Sequence, residues 1–123
     1  MPSRGGRSRR RRVQIGWILW SAAVLWGTLK PAYVQTEPPF PHSDKVMHAT
    51  GWMGLAGPGA ALLTAPAPLI WLAASGVGLA VELAQEHIPG RSFEWLDLLA
   101  DSAGAALGAW LGLRWRIRLT SRG

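Results

Sequence analysis

Apolar residues are concentrated in four blocks of 17 to 20 residues. Short stretches rich in proline, glycine and charged residues separate these blocks. A helix needs about 20 apolar residues to cross the hydrocarbon core of a bilayer, so each block has nearly the length of one membrane span. Pro66 and Pro68 lie between the second and third blocks and favour a turn over one continuous helix. The pattern predicts an all-α, polytopic membrane protein, a four-helix transmembrane bundle with spans at residues 13–29, 47–65, 67–86 and 95–113.

Arginine is concentrated at the two ends of the chain, with six before the first block and four after the last. Loops rich in Lys and Arg stay in the cytoplasm, so both termini are expected there, and this requires an even number of spans. We therefore expect a multi-pass protein of the inner (cytoplasmic) membrane. Its predicted regions are a basic cytoplasmic N-terminal arm, a four-span membrane domain and a basic cytoplasmic tail, at residues 1–12, 13–113 and 114–123.

The arginine-rich N-terminus has two other interpretations, a nucleic-acid-binding arm and the start of a cleaved signal peptide. It directly adjoins an apolar block and no RNA-binding pattern follows, so membrane lipids are the expected partner and nucleic acid is not. Residues 28–33 contain no small-x-small cleavage site, so we expect the first block to remain as a span. The chain has no cysteine, which excludes disulfides and thiolate metal sites.

The last apolar block carries two carboxylates, Asp97 and Asp101, whose four-residue spacing places them on one helical face. Capping of the helix start is a sufficient explanation for Asp97. Asp101 lies one turn deeper, and charged groups at membrane depth normally face a bundle interior or a polar cavity. The same face continues through a stripe of small residues that suits close helix packing, Gly104, Gly108 and Gly112.

A second deep carboxylate, Glu82, lies near the end of the third block. At a rise of 1.5 Å per residue, Glu82 and Asp101 both lie about 9 Å below the outer helix ends. Ser43, at the same end, is expected to cap the second helix. Trp52 is expected to lie in an outer aromatic belt. The sequence therefore predicts an outward-facing polar pocket whose binding residues are Asp44, Lys45, His48, Glu82, Gln85, Arg91, Asp97 and Asp101.

An alternative for this cluster is an internal network of salt bridges and hydrogen bonds that joins three helix ends, because buried ions in a bundle must be paired in any case. Arg91 fits both interpretations. Its loop, residues 89–92, aims it back over the helix ends, where it is expected to pair with the acids or to bind a phosphate or carboxylate of a ligand.

Four short motifs occur in order on these blocks: Asp44-Lys45-x-x-His48, Glu82-x-x-Gln85, Pro89-Gly90-Arg91-Ser92 and Asp97-x-x-x-Asp101. In this order and spacing they resemble the VanZ-like family of small bacterial integral membrane proteins, over residues 43–112. The chain departs from the family pattern at Asp101, where many relatives carry Asn. The family name comes from a member associated with resistance to the glycopeptide teicoplanin, so the resemblance implies a role at the cell envelope. It implies no settled biochemical activity.

Three functions fit these residues. The first is a binding module for an anionic lipid, a lipid-linked precursor or an amphiphilic drug. The head group would be held by Lys45, His48 and Arg91, and no metal or cofactor is expected. The second is a membrane-embedded hydrolase or transferase that acts on an envelope lipid, in which His48, Glu82 and Asp101 bind a metal or act as acid and base. The third, a transporter, is disfavoured because four short spans offer too small a path. The oligomeric state stays open, since the glycine stripe fits an internal contact or a dimer.

Overall fold

The computed structural model describes residues 4–34 and 37–120, apart from the side chains of residues 119 and 120. Predictions that fall on residues 1–3, 35–36 and 121–123 lie outside the described residues. The described chain forms four long helices, α1 (Arg4–Leu29), α2 (Ser43–Leu62), α3 (Ala67–Gln85) and α4 (Trp95–Thr120), and a short 3₁₀ turn at Ala32–Val34. It contains no β-strand, which confirms the all-α prediction.

The helix bounds agree with the apolar blocks within a few residues except at the two ends of the chain, where α4 continues to Thr120 and so past the predicted end of its span at residue 113. Helix α1 begins at Arg4, so the described part of the basic arm is helical and continuous with the first block. The prolines between α1 and α2 favour an extended chain, but this loop includes a 3₁₀ turn at Ala32–Val34. The predicted cap at Ser43 is wrong, because the chain turns at His42, with φ at 61°, and Ser43 is a buried first residue of α2. The break between α2 and α3 is confirmed.

The outside of the bundle is apolar and part of its interior is charged. The exposed fractions of Leu19, Leu72 and Leu99 are 65%, 60% and 63%, whereas Glu82 and Asp101 are completely buried. Two helices, Ala67–Gln85 and the Trp95–Arg118 part of α4, are long and apolar enough to cross a membrane. This distribution is typical of a membrane protein, because lipid leaves polar groups no place except the protein interior.

Glycines on α4 allow it to lie directly against α2. A Cβ atom on Gly104 would overlap the carbonyl oxygen of Ala49, and one on Gly108 would overlap that of Met53. The predicted glycine stripe therefore serves a contact within the chain. Close backbone approach of this kind is how small residues stabilise helix pairs in membranes, and it fixes the N-terminal ends of α2 and α4 side by side.

Tryptophan side chains connect the helices by hydrogen bonds to backbone carbonyls. The indole N–H groups of Trp17 and Trp20 on α1 donate to α2, at 2.8 Å and 3.0 Å. Trp52 on α2 donates to the Ala74 carbonyl on α3 at 2.9 Å. Trp52 is completely buried, so its predicted place in an aromatic belt is wrong. These bonds cross between helices and orient α1 and α3 around the α2–α4 pair.

Candidate functional site

Polar side chains meet at the end of the bundle where α2 begins, α3 ends and α4 begins. They form two groups, each with three members that could supply ligand atoms to a cation. We call His48, Glu82 and Asp101 the inner cluster. The outer cluster consists of the carboxylates of Asp44, Glu94 and Asp97 together with the ammonium group of Lys45.

The inner cluster is buried in the bundle. Glu82 and Asp101 are completely buried and His48 is 8% exposed. His48 Nδ1 lies 2.7 Å from Asp101 Oδ1, and one possible ligand atom from each of the three side chains lies within 4.8 Å of the others. The expectation that the two deep carboxylates face a shared site rather than lipid is therefore confirmed.

Two carboxylate oxygens of the inner cluster have no hydrogen-bond partner in the described chain, Glu82 Oε1 and Asp101 Oδ2. The other oxygen of Glu82, Oε2, accepts a hydrogen bond at 3.0 Å from the backbone N–H of Glu94, just before α4. A buried charged oxygen without a partner is costly, so native proteins rarely leave one without a bound water, ion or ligand.

Neighbouring residues shape this cluster on two sides. The ring of Trp52 stacks on that of His48, with centroids 5.8 Å apart and an angle of 13° between the planes. Gly78 leaves room for Asp101, because a Cβ atom there would lie 2.9 Å from Asp101 Oδ2. Packing against Trp52 and Gly78 thus determines how the His48 imidazole and the Asp101 carboxylate are oriented.

The outer cluster has its cation built in. Lys45 Nζ donates to Asp44 at 2.6 Å and to Glu94 at 2.7 Å, and it also contacts Asp97. The exposed fractions of the Asp44 and Glu94 side chains are 52% and 51%, and that of Asp97 is 9%. The ammonium group therefore occupies the position that a bound metal ion would otherwise take.

Asp44 and Lys45 precede the apolar part of α2, and their ionisation reflects this pairing. The hydrogen bond from Lys45 lowers the pKa of Asp44 below its ordinary value. Burial opposes the charged form of Lys45, but its hydrogen bonds with the three carboxylates outweigh that effect and raise the pKa of Lys45. Both groups are stabilised in their charged forms.

His48 lies between the clusters, because its Nε2 atom is 3.5 Å from Asp97 Oδ2. Counted together, the clusters contain five carboxylates, Asp44, Glu82, Glu94, Asp97 and Asp101, around one lysine and one histidine. Even with His48 protonated, positive charge from these side chains falls short of the negative charge.

Arg91 has a different partner from the one predicted. Its guanidinium donates to the carbonyl oxygen of Thr28, near the end of α1, at 2.6 Å. Gln85 donates to the same carbonyl at 2.7 Å. Within the described residues Arg91 forms no ion pair with a carboxylate, so the expectation that it pairs with the acids is wrong. Arg91 and Gln85 join the α3–α4 region to α1.

A cavity of about 800 Å³ lies beside both clusters, between α1, α2 and the loops that precede α2 and α4. Its polar wall includes Asp44, His48, Gln85, Arg91, Glu94 and Asp97, and its apolar wall includes Trp20, Ala23, Val24 and Met47. Of the eight predicted site residues, the cavity wall contains all but Lys45, Glu82 and Asp101, which lie behind it in the two clusters.

Three residues of the site were not predicted from the sequence. Trp52 follows His48 by one helical turn and so could have been assigned to the same face. Glu94 precedes α4 in the loop, where no periodicity marks it. Thr28 contributes a backbone carbonyl, which gives no signal in the side-chain pattern.

Comparison with known proteins identifies one family. The sequence model of the VanZ/LLP1 family matches residues 13–116. No curated protein and no solved structure matches the chain significantly.

Proposed function

This chain belongs to the VanZ/LLP1 family, and we propose that it binds the head group of an envelope amphiphile in the cavity beside the two clusters. An anionic lipid, a lipid-linked precursor and an amphiphilic drug are the ligand classes that fit. The main support for this proposal is the cavity of about 800 Å³, which has one charged wall and one apolar wall. Sites for small molecules combine these two kinds of surface, the apolar part supplying affinity and the polar groups orientation.

The charged wall suits a phosphate or carboxylate best on the side of Arg91 and Lys30, which both line the cavity. Arg91 gives one of its five N–H donors to Thr28, and the planar guanidinium favours two-point contacts with such groups. Lys45 is a weaker candidate than the sequence indicated, because three carboxylates surround its ammonium group.

We place this cavity on the outer side of the inner membrane, in a four-span arrangement with both termini in the cytoplasm. The opposite end of the bundle supports this orientation, because arginines meet the α2–α3 turn there. Arg10 donates to the Leu62 carbonyl at 3.0 Å and Arg116 to the Leu63 carbonyl at 2.6 Å. Basic residues at one end and acidic residues at the other follow the positive-inside rule.

Single cysteines at residues 40, 65, 90 and 120 test this topology in a chain that has no natural cysteine. A membrane-impermeant thiol reagent should label residues 40 and 90 in intact cells, and residues 65 and 120 only after permeabilisation. Labelling of residue 65 from outside would refute the arrangement.

The binding proposal predicts that amphiphiles with an anionic head group stabilise the purified protein, whereas a zwitterionic lipid does not. Thermal unfolding in detergent should be measured with added phosphatidylglycerol, a polyprenyl phosphate or teicoplanin, with phosphatidylcholine as the control lipid. We expect stabilisation by at least one of the first three and none by the control. Equal shifts for all four would contradict recognition of the head group.

Arg91→Lys should lower this stabilisation, because lysine keeps the charge but not the planar contact. Arg116→Lys is a matched control, since Arg116, like Arg91, donates to a backbone carbonyl at 2.6 Å but at the opposite end of the bundle. If both variants lose basal stability equally and keep the ligand response, Arg91 only joins helices and does not bind the ligand.

The His48–Asp101 pair gives a second candidate function, general acid–base catalysis in a hydrolase or transferase that acts on an envelope lipid. A carboxylate that accepts the proton of one imidazole nitrogen leaves the other nitrogen as a base, and here Nδ1 lies 2.7 Å from Asp101 Oδ1. Release of inorganic phosphate from polyprenyl diphosphate in vesicles, and its loss in His48→Gln, would distinguish turnover from binding alone.

A further inference from the structure

The inner cluster differs from an ordinary buried salt bridge because part of its hydrogen-bonding capacity is unused. Glu82 Oε1 and Asp101 Oδ2 are buried and have no hydrogen-bond partner among the described residues, and both parent side chains are completely buried. Lys45 forms its ion pairs with the three carboxylates of the outer cluster. Among the described residues, His48 pairs with Asp101, and Glu82 forms no ion pair.

We infer that His48, Glu82 and Asp101 form a site for a divalent transition-metal cation of the Zn²⁺ or Mn²⁺ type. One imidazole nitrogen and two carboxylate oxygens are ligands that these ions accept readily, and three protein ligands with an open position are typical of functional zinc sites. A divalent cation would neutralise the charge of the two carboxylates and would give Glu82 Oε1 and one oxygen of Asp101 a ligand role.

The distances agree with a site that closes on its ion. Neighbouring ligands on a tetrahedral ion, with bonds of about 2.1 Å, are about 3.4 Å apart, and His48 Nδ1 and Asp101 Oδ1, which are 2.7 Å apart, are close enough to bind one ion together. The three candidate atoms lie within 4.8 Å of one another, so the third ligand needs to move inwards by no more than about 1–2 Å. Glu82 has the longest side chain of the three and can make this movement.

The cluster also has an entry path and an outer shell. His48 and Asp97 line the cavity, so an ion can reach the imidazole from that side. Asp97 Oδ2 lies 3.5 Å from His48 Nε2, on the other side of the ring from Nδ1, where it can orient the ring from outside the first coordination shell.

This inference does not depend on the proposed amphiphile, because its evidence is the inner cluster alone. The test uses full-length protein in detergent, stripped with a chelator and then supplied with Zn²⁺ or Mn²⁺. We expect about one ion per chain by inductively coupled plasma mass spectrometry and a rise in the unfolding temperature of at least about 5 °C. Mg²⁺ and Ca²⁺ at the same concentration should give smaller rises.

Glu82→Gln and Asp101→Asn should reduce the amount of bound metal at least tenfold, since each replaces a carboxylate by a neutral group of the same shape. Glu86→Gln is the matched control: Glu86 lies four residues after Glu82, at the end of α3, and is exposed. It should bind metal as the natural protein does. Equal metal content in Glu82→Gln and Glu86→Gln would overturn the inference.

Two further measurements apply even where a variant folds poorly. Co²⁺ bound to the natural protein should show visible d–d absorption that Zn²⁺ abolishes by competition. In chelator, Glu82→Gln should be at least as stable as the natural protein, because it removes a buried charge that lacks a partner. A natural protein with no metal response would refute the site, whereas metal binding without any lipid response would refute only the proposed amphiphile.

Discussion

The two clusters contain nearly the same chemical groups but differ in how their charge is compensated. In the outer cluster Lys45 Nζ contacts three carboxylates, and two of these have half-exposed side chains. In the inner cluster His48 is the only possible cation beside two completely buried carboxylates, it pairs with Asp101, and one oxygen of each carboxylate has no partner in the described chain. A cluster that contains its own cation is a structural element, and one that lacks a cation is a candidate site.

Depth explains why the difference matters. Water reaches the outer cluster and weakens every charge interaction there, so the pairs with exposed carboxylates should each contribute little to stability. Burial of the inner cluster makes each unpaired charge costly and each added partner valuable. The same substitution should therefore have a large effect in the inner cluster and a small one in the outer cluster, and the following predictions test this difference.

The largest effect is expected from His48→Ala, because it leaves Asp101 buried without its hydrogen-bond partner. Removal of one partner of a buried pair typically costs about 3–5 kcal/mol. His87→Ala is the control, since His87 is also near the outer end but exposed, and it should change the free energy of unfolding by less than about 0.5 kcal/mol. Denaturant unfolding in detergent measures both. Similar values for the two variants would contradict the difference in depth.

The sequence was sufficient to predict which residues form the inner cluster, but not to predict the partners of the long cationic side chains around it. Glu82, His48 and Asp101 could be brought together because helical rise and the four-residue repeat place carboxylates at one depth and on one face. Partner choice could not be predicted for Lys45 and Arg91, because long flexible side chains reach several acceptors. The structure gives Lys45 three carboxylates and Arg91 a backbone carbonyl.

The helices, like the site, were predictable where local composition decides and unpredictable where the choice of partner decides. The apolar blocks and the prolines predicted four helices and the break at residues 63–66, because these depend on local composition. The helical extension of α1 through the arginines was not predicted, because charged residues mark a membrane boundary without ending a helix. The partner of the glycine stripe was also undetermined, since small residues allow close approach to any helix.

An intermediate effect is expected from Lys45→Met, which removes the cation of the outer cluster but keeps the length of the side chain. Repulsion among the three carboxylates, one of them mostly buried, should lower the free energy of unfolding by about 1–3 kcal/mol. The variant should also gain a stabilising response to Ca²⁺, which favours carboxylate oxygens.

Lys45→Arg is the matched control for this gain, because it keeps the positive charge. Thermal unfolding with and without Ca²⁺ should show a response in Lys45→Met that exceeds that in Lys45→Arg and in the natural protein. If Lys45→Met shows no Ca²⁺ response, the built-in cation is not what distinguishes the outer cluster.

The smallest effect is expected from Asp44→Asn, because about half of the Asp44 side chain is exposed. At neutral pH the loss in the free energy of unfolding should stay below about 1 kcal/mol and should decrease in 0.5 M NaCl, since salt screens exposed pairs.

The pH dependence of stability tests this ion pair more directly. Because Lys45 lowers the pKa of Asp44 from its ordinary value of 3.8, the unfolded chain takes up a proton at a higher pH than the folded chain does. The ion pair therefore stabilises the fold above about pH 4, and this stabilisation declines as the pH falls further. Unfolding curves between pH 6 and pH 3 should show a steeper decline for the natural protein than for Asp44→Asn. Glu37→Gln removes the same charge from an exposed position in the first outer loop and forms no ion pair within residues 4–34 and 37–120, so its curve should parallel that of the natural protein. Parallel curves for all three proteins would show that even the exposed member of the outer cluster gains nothing from Lys45.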